Sequence, residues 1–346
     1  MSVVLFCGPS VRAEEASAIV PSARIRGPAT CGDVYRAVQE GAQAVGICDG
    51  YFDHQLSVWH KEVLWALMHR VRVYGSASMG ALRAAELHGF GMLGVGLIFE
   101  QYRDGVLEDD DEVALAHESQ ERDYRPSSEA MVNVRATLAV AVARGVLSEK
   151  SRQQWIEVTK SMFYPERTYE EIFLRVLAAG APESEVRGFR DWLEKHGPVN
   201  QKRLDALAML ERMRDDLLEL KNRQNSPPSF EFEYTDAWDA FRRTIDRPVA
   251  PEVSEAARER ALALALAEAA GFSADAEAVQ RRSEEFRRER GLLTEEDTAV
   301  WMSRNGLGVE EFSLLMYEDV LAEAFRGAAK RVGVEQLPSV LRLRAR

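Results

Sequence analysis

Val71-Arg72-Val73-Tyr74-Gly75-Ser76-Ala77-Ser78-Met79-Gly80-Ala81-Leu82-Arg83-Ala84-Ala85-Glu86 decides the fold. Val71, Val73 and Tyr74 suit a strand, and Ala81 to Leu87 is a run of strong helix formers. Small residues between them make a sharp turn, so strand passes into helix with almost no loop. A serine on such a turn lies beside the unpaired amides of a helix N-terminus and is placed to meet an anion. Ser76-x-Ser78-x-Gly80 approximates the nucleophile elbow Gly-x-Ser-x-Gly, with serine for the first glycine.

Outward from this unit the same alternation recurs. Val3 to Phe6 is a buried-strand candidate followed by Gly8-Pro9-Ser10, and a helix is predicted from about Ala13. Ala23 to Arg26 reads as a short edge strand. A helix over 31–39 leads to the apolar run Ala44 to Cys48, which ends at Asp49-Gly50, and a helix over 57–69 precedes the opening stretch. This spacing predicts an α/β fold with an open, mostly parallel sheet flanked by helices. From Ser128 onward helical patterns take over, giving all-α regions. The polar segment 222–229, with Pro227-Pro228, stops any helix. The predicted organisation is an α/β core with trailing helices over 1–222, a linker at 223–229 and a helical domain over 230–346.

The 346 residues, 46% hydrophobic and 29% charged, describe an ordinary globular chain with ample core material. A net charge of −12 argues against nucleic acid or anionic membrane as partner. Cys7, Cys31 and Cys48 show no metal or redox spacing, and an odd, sparse set fits a reducing compartment. No signal-peptide pattern opens the sequence and no run of about 18 apolar residues occurs. A cytoplasmic protein is expected.

In an open α/β sheet, ligands bind beyond the carboxyl ends of the strands. Three such ends, Gly8-Pro9-Ser10, Asp49-Gly50-Tyr51 and Gly75 to Ser78, mix glycine with small or acidic polar residues. Turn chemistry alone explains any one of them; three on one edge predict a pocket. Ser78 has two readings, a nucleophile or anion binder, and a plain helix N-cap. His60, in the first turn of a helix that Ser57 would cap, is a candidate base, with Asp49 or Glu62 to orient it. Arg83 either offsets a substrate's charge or pairs with Glu86 at i, i+3. The acidic run Leu107-Glu108-Asp109-Asp110-Asp111-Glu112 lacks metal-site spacing and reads as a solvated turn or docking surface. No phosphate loop or dinucleotide turn is present, and neither a metal nor a cofactor is expected.

Phe6-x-Gly8-Pro9-Ser10, Asp49-Gly50-Tyr51-Phe52, Trp59-His60-Lys61-Glu62, Tyr74 to Glu86, Leu107 to Ala114, Tyr124-Arg125-Pro126 and Ser128 to Arg135 occur in this order. Together they resemble the TfuA-like proteins over roughly the first 140 residues. The resemblance implies work beside a YcaO-type enzyme in backbone thioamidation of ribosomally made peptides. It also implies release of sulfide from a thiocarboxylated, ubiquitin-like sulfur carrier of the ThiS type. On that reading Ser78 attacks the thiocarboxylate carbon, with His60 and Asp49 as its catalytic partners. Gly8, Pro9, Ser10, Gly50, Ser76, Gly80 and Arg83 would line the substrate site. A non-catalytic adaptor that recruits carrier to YcaO, and possibly contacts the precursor peptide, is the alternative. A generic serine esterase is a third reading.

Overall fold

The computed structural model describes residues 2–52, 56–219, 230–245, 271–292 and 294–329, with isolated positions between 257 and 267. Its contacts divide the chain into two units, 1–246 and 247–346. The linker predicted at 223–229 lies outside the described residues.

Every residue of the first strand, β1 (Val3–Phe6), is buried, which requires cover on both faces of a sheet. Val4 and Phe6 enter one core and Val3 and Leu5 the other, as the two-residue period of a strand demands. β2 (Ala23–Arg26), β3 (Ala44–Ile47), β4 (Arg72–Gly75) and β5 (Leu93–Gly94) complete a five-stranded sheet. All pairings are parallel and the order is β2-β1-β3-β4-β5. The expected open parallel sheet is therefore present. β5 was not foreseen: two residues, one of them glycine, leave no periodic signal.

One face is covered by α2 (Asp33–Gln39), α3 (His60–Met68) and α4 (Met79–Leu87), which bury Val34, Val63, Ala66, Ala81 and Ala84 against it. The other is covered by α1 (Ala13–Ile19) and α10 (Gln201–Glu219), through Ala16, Ala206, Met209, Leu210 and Met213. Between α4 and α10 come α5 (Leu97–Arg103) and a helical subassembly. This subassembly comprises α6 (Met131–Ala143), α7 (Glu149–Lys160), α8 (Tyr169–Ala178) and α9 (Glu183–His196), packed around Trp155, Phe173 and Phe189. A last helix of the first unit, α11 (Asp236–Ile245), places Trp238 and Phe241 among Tyr35, Trp59 and Trp65. Those aromatics set α11 with the sheet unit.

In the second unit the described helices are α12 (Ala276–Glu289), α13 (Glu295–Asn305) and α14 (Val309–Ala329). Phe286, Phe312 and Met316 form their core. Arg282 of α12 meets Asp319 of α14 at 3.1 Å, and Thr294 caps α13. No described helix is long and apolar enough to cross a membrane.

The strand order reverses direction between β1 and β3, so the connections leaving these two strands part to opposite faces and open a crevice at their carboxyl ends. The segments entering that crevice are Gly8-Pro9-Ser10 and Asp49-Gly50, with the β4–α4 turn alongside.

Candidate functional site

Asp49 builds the crevice. Its buried carboxylate accepts hydrogen bonds from Gly8 N at 2.8 Å, Ser10 N at 3.1 Å and Ser10 Oγ at 2.6 Å. The end of β3 thereby holds the loop after β1 in a fixed curve. Ser10 is buried in this clamp, and Gly8 is packed so that a Cβ would come within 2.5 Å of Pro28.

The β4–α4 turn is equally constrained. A Cβ on Gly80 would lie 1.7 Å from the carbonyl oxygen of Ile47, and one on Gly75 would lie 2.1 Å from the Gly80 carbonyl oxygen. Helix α4 therefore rests its first turn directly on β3 and β4, which requires glycine at both places. Between them, Ser78 N donates to Ser76 O at 2.7 Å around Ala77, whose φ is +65°. This is a γ-turn of the uncommon positive-φ kind, a strained arrangement. The strain falls on Ala77, the residue before the serine of the elbow-like motif.

Ser78 stands at the N-cap position of α4, and its carbonyl oxygen accepts from Ala81 N and Leu82 N. Its hydroxyl caps nothing. Ser78 Oγ instead faces the carbonyl oxygen of Val113 at 3.5 Å, a separation at which little hydrogen-bond energy is gained. The side-chain cap reading of Ser78 is thus corrected: the turn holds the hydroxyl toward the crevice.

A small pocket of about 60 Å³ opens there. Pro9, Asp49, Gly50 and Ser78 contribute to its wall, as the strand-end rule predicts, joined by Tyr51, Phe52, Val113, His117, Tyr164 and Lys202. The volume suits a few waters or one small terminal group rather than a whole drug-sized ligand. A larger cleft of about 590 Å³, lined by Glu129, Tyr169, Arg190 and Glu194 among others, contains none of the three strand-end loops.

Lys202 is the residue that sequence reading missed. It sits in the first turn of α10, is 2% exposed, and donates from Nζ to the Val113 carbonyl oxygen at 2.8 Å. Burial pulls its ammonium down to about 8, with the negative charges of Asp49 and Glu129 acting against the shift. Glu129, in the wall of the larger cleft, is lifted to about 7 by burial, offset by a hydrogen bond with Asn133 and by the charge of Lys202. Asn133 Oδ1 also accepts from Lys202 N at 3.1 Å, which fixes the start of α10.

Val113, Ala114 and Leu115 line the pocket, and the residues just before them anchor that segment. Arg135 grips the buried Glu112 carboxylate with two bonds of 2.9 and 2.8 Å, Lys160 adds a contact at 3.0 Å, and Arg167 and Lys160 both engage Asp111. The acidic run is therefore split. Asp111 and Glu112 are tied inward and carry Val113 to the pocket, whereas Glu108, Asp109 and Asp110 remain exposed.

Several predicted site residues lie elsewhere. His60 Nε2 meets Glu86 at 2.7 Å, His60 is not in the pocket wall, and no hydrogen bond joins it to Ser78 or Asp49. Ser57 does not cap α3; its hydroxyl accepts from Arg83, and Trp59 holds the cap position. Arg83 is spent on Val58 O, Ser57 and Glu86, in a separate groove bordered by Glu108, Asp109 and Asp110. Ser76 is fully buried, and Gly80 serves close packing. Of the cysteines, Cys48 is held far above its usual value by the adjoining Cys7 thiol and by burial, so it is no thiolate nucleophile.

Fold and pocket define the class: a doubly wound α/β protein with a small pocket at its topological switch point. Residues 49–168 match the family model of the TfuA-like proteins. Over that stretch, which holds Asp49, Ser78 and Val113 but neither Ser10 nor Lys202, the chain is similar to that family, as the ordered motifs imply. No curated protein matches the chain.

Proposed function

We propose that this protein serves peptide backbone thioamidation by hydrolysing the C-terminal thiocarboxylate of a ThiS-type ubiquitin-like carrier, releasing sulfide for a YcaO-type partner. The observation that carries the reading is the place of Ser78. Its hydroxyl is unspent on capping, faces a pocket of about 60 Å³, and lies within the TfuA-like stretch. A pocket of that size accepts the end of an extended glycine-like tail and excludes the folded body of a carrier, which would stay at the mouth. Tyr51, Phe52 and Tyr164 give the pocket aromatic walls.

The chemistry is acyl transfer. Ser78 Oγ adds to the thiocarboxylate carbon, the C–S bond breaks, and an ester on Ser78 is left for water to cleave. The amide of Met79, which follows the serine at the start of α4, is the donor that elbow geometry offers to the oxyanion. The adaptor reading has one observation in its favour, the exposed carboxylates of Glu108, Asp109 and Asp110 beside the Arg83 groove, which would suit a basic partner surface.

Sulfide release from a thiocarboxylated carrier, measured for the parent and for Ser78→Ala, tests the proposal. Release by the parent and its loss in Ser78→Ala support it. A folded parent that binds the carrier and releases nothing leaves the adaptor.

A further inference from the structure

We infer that the larger cleft, walled by segment 126–129 and helices α8 and α9, binds a basic side chain presented on a peptide. It shares no wall residue with the pocket at Ser78, so the inference stands apart from the sulfide-releasing chemistry. The walls carry three carboxyl groups, Glu129, Glu170 and Glu194, against one cation, Arg190. The Arg190 guanidinium lies over the Phe173 ring at 4.8 Å. Among the described residues none of these four charged groups makes an ion pair. The cleft thus holds an excess of negative charge with no counter-ion of its own.

Acidic side chains alone would describe any solvated face, but two further features set this one apart. Tyr169 stands in the cleft wall, and its phenol oxygen is buried without a hydrogen-bond partner among the described residues. The neighbouring Thr137 hydroxyl donates to Asn133 O at 2.8 Å and accepts from Val199 N at 2.9 Å. A buried hydroxyl left unpaired calls for a partner, and a ligand seated in the cleft would supply one. Glu129 is the second feature. Burial holds its carboxyl at about 7, the condition of an acid whose counter-charge is too weak to offset desolvation. From α10, Lys202 acts on it through charge alone, because the ammonium is bonded to Val113 O. Tyr169 and Glu170 of α8 and Arg190 and Glu194 of α9 are the other titratable or charged groups in the cleft.

The remaining wall suits a side chain on a backbone rather than a bare cation. Pro126, Phe173 and Leu193 offer apolar surface to the methylene stem of an arginine or lysine. Ser127 and Thr168 add hydroxyls at the rim for the peptide groups on either side. The volume of about 590 Å³ is that of a full ligand site, with room beyond one guanidinium. Arginine fits best, since its planar fork can meet two carboxylates at once.

The test is calorimetric binding to the full chain of a blocked pentapeptide, one arginine between two pairs of glycines. The parent is expected to bind it, and to bind up to about 10-fold more tightly at pH 8 than at pH 6, as Glu129 passes from mostly neutral to mostly ionised. The same peptide with citrulline, which keeps the shape and loses the charge, should bind about 10- to 100-fold more weakly, the loss expected for charge-assisted hydrogen bonds. Glu129→Gln should weaken arginine binding at pH 8 and abolish its pH dependence. Glu194→Gln, at an exposed position, should weaken binding at both pH values and keep the pH dependence. Tyr169→Phe should weaken binding while melting no lower than the parent, since the free protein loses no bond. No binding by the folded parent overturns the inference, as does citrulline bound as tightly as arginine. Folded Glu129→Gln and Glu194→Gln proteins that both bind like the parent, or a glutamate peptide preferred to the arginine one, also overturn it. Propylguanidine bound as tightly as the peptide would assign the cleft to a free cation and overturn the peptide reading.

Discussion

Ser10 Oγ donates to Asp49 Oδ1 at 2.6 Å between two buried side chains, and this bond ties the end of β1 to the end of β3 across the switch point. The other carboxylate oxygen takes the amides of Gly8 and Ser10. Asp49 is thus a bracket for a loop that would otherwise carry unpaired buried donors. Asp49→Asn keeps the shape but turns an NH₂ group toward donors. We expect a loss of about 1–3 kcal/mol, the usual cost of stranding a buried polar group. Ser10→Ala removes the hydroxyl and leaves both amides satisfied, so it should cost less. Denaturant midpoints of the two variants check the order; equal losses would contradict the bracket.

The contact of α4 with β3 leaves no room for a side chain. Gly80→Ala places a methyl 1.7 Å from a backbone oxygen, a neighbour that cannot rotate away. The expected cost is at least the upper end of the about 1–3 kcal/mol seen for overpacked sites. Gly89→Ala, where a Cβ meets nothing within 4 Å, is the control and should fold normally. Thermal melting of the two variants decides the matter.

Much of this architecture is written in local pattern. β1, β3 and β4 are short apolar runs closed by glycine or aspartate, and the rule that ligands sit beyond strand ends brought Pro9, Asp49, Gly50 and Ser78 to one pocket. The rule places the first turns of helices on the correct edge without saying which neighbour a side chain meets. His60 and Arg83 therefore went astray: α3 and α4 lie on the same face, and Glu86 draws both together. Lys202 was invisible for a different reason. Helix α10 begins over 120 residues after β4 and reaches the pocket only because it covers the second face of the sheet. One signal was available. Lys202 continues the stripe Ala206, Met209, Leu210 and Met213 at helical spacing, which puts a lysine on a buried face.

The placement of His60 makes a sharp expectation. His60 and Glu86 are each more than two-fifths exposed in their side chains, and an exposed ion pair contributes little. His60→Ala should change stability by less than about 1 kcal/mol and leave sulfide release at the parental rate. A drop of 100-fold or more in that rate would return His60 to the mechanism.

Glu129 and Lys202 give stability a defined pH dependence. Glu129 titrates near 7 in the fold and at 4.5 when unpaired, so the folded state holds more protons between these values. Its contribution is present below the ordinary carboxylate range and is lost as pH rises toward 7. Lys202 titrates at about 8 in the fold against 10.5, so the unfolded state holds more protons above 8 and stability rises from there to about 10.5. Each change is of order 3 kcal/mol, and together they put the minimum between pH 7 and 8, where both groups are mostly charged. Denaturant unfolding of the parent, Glu129→Gln and Lys202→Met at pH 5, 7.5 and 10 isolates the two terms. The difference between parent and Glu129→Gln should move against the parent from pH 5 to 7.5. Lys202→Met, which replaces a buried ammonium by an apolar chain of similar length, should be the more stable protein at pH 7.5 and lose that advantage by pH 10. Differences that stay flat across the three pH values would mean that neither group is as buried as its place in the fold requires.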